Sequence, residues 1–197
     1  MIGRGKYSLS SQRDMKQNTY TLLYGLIIKP EKTWQDIAGK QYKASRFANL
    51  HILLCVTAGI AIRALASGFS SWQDCLGRWV LDCLSLYAGL YLSAFVLHVL
   101  SIKVLQIKSE FKDSLGFCSF ASGYLFLTFM TGIIFDNLLL PLILSFYVFP
   151  IVYDGINVYL PADRKKNGLY SLIAGGVLIA APLLAKGMIM LCMPEMA

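Results

Sequence analysis

The chain predicts an all-α fold, a polytopic membrane bundle of five transmembrane helices preceded by a cytoplasmic interfacial helical segment. Three observations lead there. Of 197 residues, 56% are hydrophobic and 15% charged, with a mean hydropathy of +0.58, more apolar surface than a water-soluble domain of this length buries. Five apolar runs each exceed the roughly 20 residues that cross about 30 Å of hydrocarbon at about 1.5 Å per residue. Finally, 15 of the 18 Lys and Arg residues fall in three polar stretches, Met1 to Arg46, Lys103 to Lys112 and Arg164 to Lys166, and only Arg63, Arg78 and Lys186 lie outside them.

Residues 1–19 mix Gly, Ser, Gln, Lys and Arg with little periodic hydrophobicity, the composition of a flexible basic arm at a membrane surface. Residues 20–47 change character. Leu22, Leu23, Leu26 and Ile27 cluster on one face of a short helix, and Pro30 then opens a second segment that carries Trp34 and Ile37. Both read as interfacial helices, packed against the cytoplasmic ends of the bundle or offered to lipid head groups or a protein partner. The membrane domain occupies residues 48–193, and residues 194–197 form a short external C-terminus. The apolar run starting near Ala48 follows a long polar stretch, so the first span is expected to serve as its own insertion signal, with no cleavable leader.

The expected spans are Ala48 to Phe69, Trp79 to Ile102, Ser114 to Phe135, Leu138 to Leu160 and Leu169 to Met193. Each is about twice the length of a barrel strand, and within lipid the backbone must satisfy its own hydrogen bonds, so the spans are helices. In the loops Lys and Arg number nine before the first span, none in Ser70 to Gly77, three in Lys103 to Lys112, none at Asp136 and Asn137, three in Arg164 to Lys166 and none after Met193, while Arg63, Arg78 and Lys186 sit at or inside helix ends. By the positive-inside rule the N-terminus is cytoplasmic and the C-terminus external. Small residues four apart, Ser85, Gly89 and Ser93 in span two, Ser119 with Gly123 in span three and Gly176 with Ala180 in span five, mark close helix approach within the bundle or between copies. Pro141, Pro150 and Pro182 are expected to bend their helices.

Ionisable residues at membrane depth are costly and are candidate sites by default. One group, Arg63, Asp82, Asp136 and Lys186, belongs to the outer half. It reads most simply as an ion-pair network, Arg63 with Asp82, with Asp136 capping its helix; the sharper alternative is an anion site lined by Arg63 and Lys186, which requires a cavity. A second group, His51, His98 and Asp154, lies towards the cytoplasmic boundary. It offers the donor types of a metal triad or proton relay, but lacks local ligand spacing, and Asp154 bonded to a histidine or tyrosine is the plainer reading.

Five cysteines lack CxxC spacing, so no zinc or redox motif is expected; Cys75 and Cys192 alone share the outer side. No nucleophile elbow or other catalytic signature occurs, and no cofactor is expected. The net charge of +7 is concentrated on the cytoplasmic side, where anionic lipid accounts for it without nucleic acid.

Two stretches carry a family resemblance. Leu26 to Ile37 (LIIKPEKTWQDI), ahead of span one, and Ser109 to Tyr124 (SEFKDSLGFCSFASGY), leading into span three, resemble the corresponding segments of bacterial Yip-domain membrane proteins, relatives of the eukaryotic Ypt/Rab-interacting membrane proteins. The likeness covers about Leu22 to Met193. It implies the five-span, N-in layout and an inner-membrane location. In eukaryotes it also implies trafficking contacts with Rab GTPases and other family members; their Asp-Leu-Tyr-Gly-Pro motif survives here only as Leu23-Tyr24-Gly25. The expected role is a non-enzymatic, membrane-organising or partner-binding scaffold, with a protein partner or a second copy bound. The alternatives are a small oligomeric transporter, channel or lipid-handling protein using the intramembrane charges, or, last, a membrane-embedded lipid enzyme.

Overall fold

The computed structural model describes residues 19–39, 42–67, 71–105, 110–137, 139–159 and 164–192. The expected basic arm, the side chains of Arg164 to Lys166 and the C-terminal residues 194–197 lie outside that description. Among the described residues every element is helical: α1 (Thr19–Ile28), α2 (Pro30–Gly39), α3 (Ala44–Ser67), α4 (Trp72–Leu100) running into a π-helical turn (Ser101–Leu105), α5 (Phe111–Ala121), α6 (Gly123–Phe135), α7 (Leu139–Ser145), α8 (Val148–Tyr159) and α9 (Arg164–Cys192).

Four segments are long and apolar enough to cross a membrane: Ala44–Ala66, Trp72–Lys103, Leu139–Tyr159 and Asn167–Cys192. The fifth crossing is the pair α5 and α6, bent by 48°. It traverses the full bundle, because Gly116 lies against Ala44 at the start of α3 while Asp136 pairs with Arg63 near its end. Those two α3 positions are roughly 28 Å apart at about 1.5 Å per residue. The polytopic bundle expected from the sequence is therefore the fold observed.

Local chemistry sets the helix ends. Pro30 occupies the first position of α2, where its missing N–H removes no helical bond. Ser71 caps α4 by accepting from the Asp74 N–H at 3.1 Å. Asp136 ends α6 in the left-handed region, φ 49°, which a short polar side chain tolerates. Of the three prolines expected to bend helices, Pro150 alone coincides with a break. Its ring leaves the Phe146 carbonyl without an i+4 donor, and the Phe149 N–H bonds it at 3.2 Å instead, which separates α7 from α8. Pro141 sits in the first turn of α7, where the missing bond costs nothing, and α9 continues through Pro182.

Of the two expectations for residues 20–39, packing against the bundle is the one observed. Leu22, Leu23, Leu26, Trp34 and Ile37 are buried, and the surface they cover is the side of the bundle itself. Trp34 is the anchor. Its indole N–H donates to Ile151 O at 2.9 Å, its ring stacks on Phe117 at 5.2 Å, and Gly155 supplies the gap, since a methyl group there would sit 2.6 Å from the indole. Tyr147 fastens α1 by donating to Ile27 O at 2.7 Å. The outward face of α1 carries Tyr20, Tyr24 and Ile28.

Helix α4 packs most extensively on α9. Gly89 meets Pro182 so closely that a methyl group would lie 2.5 Å from Pro182 Cα, so the small stripe of span two, with Ser85 and Ser93 buried beside it, serves the interior. Ser119 and Gly123 are also buried, Gly123 against Phe47. Gly176 and Ala180 instead face outward.

Candidate functional site

The bend at Ser122 shapes the interior. Helix α5 lies centrally, touching α3, α4 and α8, whereas α6 turns away to pack on α3 and α7. The end of the bundle away from α2, the distal end, thus divides into two groups, α3 with α6 and α7, and α4 with α9. Between them lies a cavity of about 700 Å³, within the range of small-molecule sites. Helix α7 rests on α6 and has at most incidental contact with α9, so on that flank the two groups diverge.

The cavity is polar at its distal end and apolar along its length. Arg63, Arg78, Asp82, Asp136 and Lys186 line the distal end; Leu86, Leu90, Phe126, Leu178 and Ile179 form the walls, with Thr128 and Ser145 part-way along; Ser93 and Ser122 lie at the far end. Arg78 and Ser93 are fifteen positions apart on α4, a depth of roughly 22 Å at about 1.5 Å per residue. The hydroxyls part-way along are partly satisfied already: Thr128 donates to Leu125 O at 2.9 Å and Ser145 to Pro141 O at 2.6 Å.

All four candidates of the outer group come together here, in pairings different from the expected one. Arg63 does not meet Asp82. Its guanidinium grips Asp136 with both arms, Nη1 to Oδ1 and Nη2 to Oδ2, each at 2.9 Å, the fork geometry that favours arginine. Asp136 is therefore both helix cap and ion-pair partner. The hydrogen bonds and charge of Arg63 hold its carboxyl below the ordinary carboxylate range. Asp82 instead receives Lys186, Nζ to Oδ1 at 2.7 Å, and the Lys186 ammonium also lies 5.7 Å from the Phe129 ring centroid, within cation–π range. Asp82 is 5% exposed, so the pair is largely dry. Position along the spans put these residues in one half of the bundle, but partner choice depended on helix rotation, which charge spacing alone does not encode.

The inner group stays apart. His51 is buried, its Nδ1–H donating to Phe47 O at 2.8 Å, and its ring packs near Tyr20 and Phe47. His98 meets Phe111 edge-on at 5.8 Å. Asp154 lines a separate groove with Phe149, Pro150 and Gly168, and makes no hydrogen bond to a histidine or tyrosine among the described residues. His51, His98 and Asp154 do not form a group of three at metal-binding range among the described residues. Cys75 and Cys192 are free thiols, Cys75 lining the cavity mouth. Sequence reasoning missed Arg78 as a cavity residue, together with the hydroxyls Thr128 and Ser145. Their only advance signal was polarity within otherwise apolar runs.

No curated protein and no solved structure gives a significant match to the chain. The model of the Yip1 domain matches residues 24–185, which takes in both sides of the cavity and the docked segment with Trp34. The protein is an integral, multi-pass membrane protein, and it belongs to the Yip1-domain family.

Proposed function

We propose that the protein binds an amphipathic lipid in this cavity and acts, without catalysing a reaction, as a lipid-handling protein. The observation that carries the reading is the cavity's polarity: five ionisable side chains at one end of an apolar slot roughly 22 Å deep. That depth exceeds one leaflet of hydrocarbon, about 15 Å or half of the bilayer core, and a slot charged at one end only matches a head group joined to a chain. The diverging flank between α7 and α9 gives such a molecule a lateral route from the bilayer. The count of Lys and Arg supports an inner-membrane orientation with a cytoplasmic N-terminus and an anionic lipid surface beside it. Labelling of a cysteine near Asn137, and not of one near Lys165, from outside intact cells tests the orientation.

Purification in a mild detergent, followed by mass spectrometry of retained lipids, tests the site. A stoichiometric lipid is expected, and Leu183→Trp with Leu142→Trp, which fill the slot from α9 and α7, should release it. A protein that retains no lipid, or retains it equally when plugged, contradicts the reading.

A scaffold role is the second reading. Gly176 and Ala180 face outward from α9, and Tyr20, Tyr24 and Ile28 do so from α1, surfaces suited to a second copy or a protein partner. Recovery of a stoichiometric protein partner from the same purification, lost on Tyr24→Ser, would favour it.

A further inference from the structure

We propose that the distal end of the cavity selects a monoanionic head group, a phosphodiester or a carboxylate, over a zwitterionic one; the inference rests on the reading of the cavity as a lipid site. Its lining holds three cations, Arg63, Arg78 and Lys186, against two carboxylates, Asp82 and Asp136. Both carboxylates are engaged, Asp136 by Arg63 and Asp82 by Lys186. The third cation, Arg78, has no hydrogen bond or ion pair to a carboxylate among the described residues. The lining therefore carries one positive charge in excess at the mouth of a slot walled by Leu86, Leu90 and Phe126. Arg78 is exposed, so water screens this excess, and its effect on a bound head group is that of an exposed charge pair. A zwitterion adds no net charge and leaves the excess uncompensated, whereas a monoanion brings the site to neutrality. Donors are also in place. An ammonium has three N–H groups, of which Asp82 takes one from Lys186, and the exposed Arg78 guanidinium presents a fork suited to carboxylate or phosphate oxygens.

The test uses the full chain in detergent, delipidated and then offered three probes: phosphatidylglycerol, phosphatidylcholine with the same acyl chains, and a free long-chain fatty acid. Binding is read by native mass spectrometry. The expected result is that one or both anionic probes outcompete phosphatidylcholine by roughly tenfold, equivalent to about 1.4 kcal/mol. Preference for phosphatidylglycerol identifies a phosphodiester site, and preference for the fatty acid a carboxylate site. Arg78→Gln should reduce the advantage by roughly twofold to fivefold, the range of an exposed ion pair, and Arg78→Lys should largely retain it, with thermal stability unchanged in both. Equal retention of phosphatidylglycerol and phosphatidylcholine overturns the head-group inference alone. Retention of none of the three overturns the lipid site and the inference with it.

Discussion

Lys186 on α9 and Asp82 on α4 form an ion pair, Nζ to Oδ1 at 2.7 Å, at the seam between the two most extensively packed helices of the bundle. The seam continues through Gly89 and Pro182, so one interface combines close backbone approach with a charge pair facing the cavity.

Breaking that pair on one side strands a charge in a site with little water. Asp82→Asn or Lys186→Met alone should destabilise the protein by about 1–3 kcal/mol, below the full cost for a buried pair because Lys186 retains some exposure. The double variant Asp82→Asn with Lys186→Met should recover most of the loss. Thermal unfolding of the four proteins in one detergent, read as a double-mutant cycle, checks this; additive losses would show that the two charges are not coupled.

The Arg63–Asp136 pair makes a pH prediction. Arg63 lowers the carboxyl pKa in the folded protein, so the folded state binds this proton less readily than the unfolded chain. Its stabilising contribution is present above the ordinary carboxylate pKa and is lost as the pH falls through the lowered value. Because Asp136 is exposed, the contribution is small, and the titration itself is the better readout. With the Asp136 carboxyl followed by NMR, Arg63→Gln should raise the midpoint, and an unmoved midpoint would argue against the pair in solution.

Trp34 holds α2 to the bundle through a stacked ring, a hydrogen bond and a fitted glycine. Trp34→Ala should cost about 3–5 kcal/mol, the usual loss for a truncated buried aromatic, and should let a maleimide reach a cysteine placed at Ile37. Protection of that cysteine in the variant would mean that α2 is held by other contacts.

Two glycines of similar sequence context should respond in opposite ways. Gly89→Ala drives a methyl group into the Pro182 backbone and should destabilise by about 1–3 kcal/mol through overpacking. Gly176→Ala meets nothing within 4 Å and should change stability by no more than about 0.5 kcal/mol. Equal responses in a melting experiment would contradict the assigned helix faces.

Composition and charge spacing were enough to determine the all-α class, the five crossings and the half of the bundle to which Arg63, Asp82, Asp136 and Lys186 belong. Those properties follow from local quantities, namely the thickness of hydrocarbon, the rise of a helix and the cost of moving lysine or arginine across it. The tertiary structure decided which charge meets which. Rotation of α4 and α9 about their axes brings Asp82 to Lys186, and the bend at Ser122 carries Asp136 to Arg63. It also decided that the apolar faces of residues 20–39 turn inward: periodicity marks a face to be covered, and either lipid or Phe117 and Gly155 would satisfy it. The cavity arises from the same bend, which swings α6 away from α4 and α9. No single residue type announces that geometry, because it depends on how two half-helices divide their packing between neighbours.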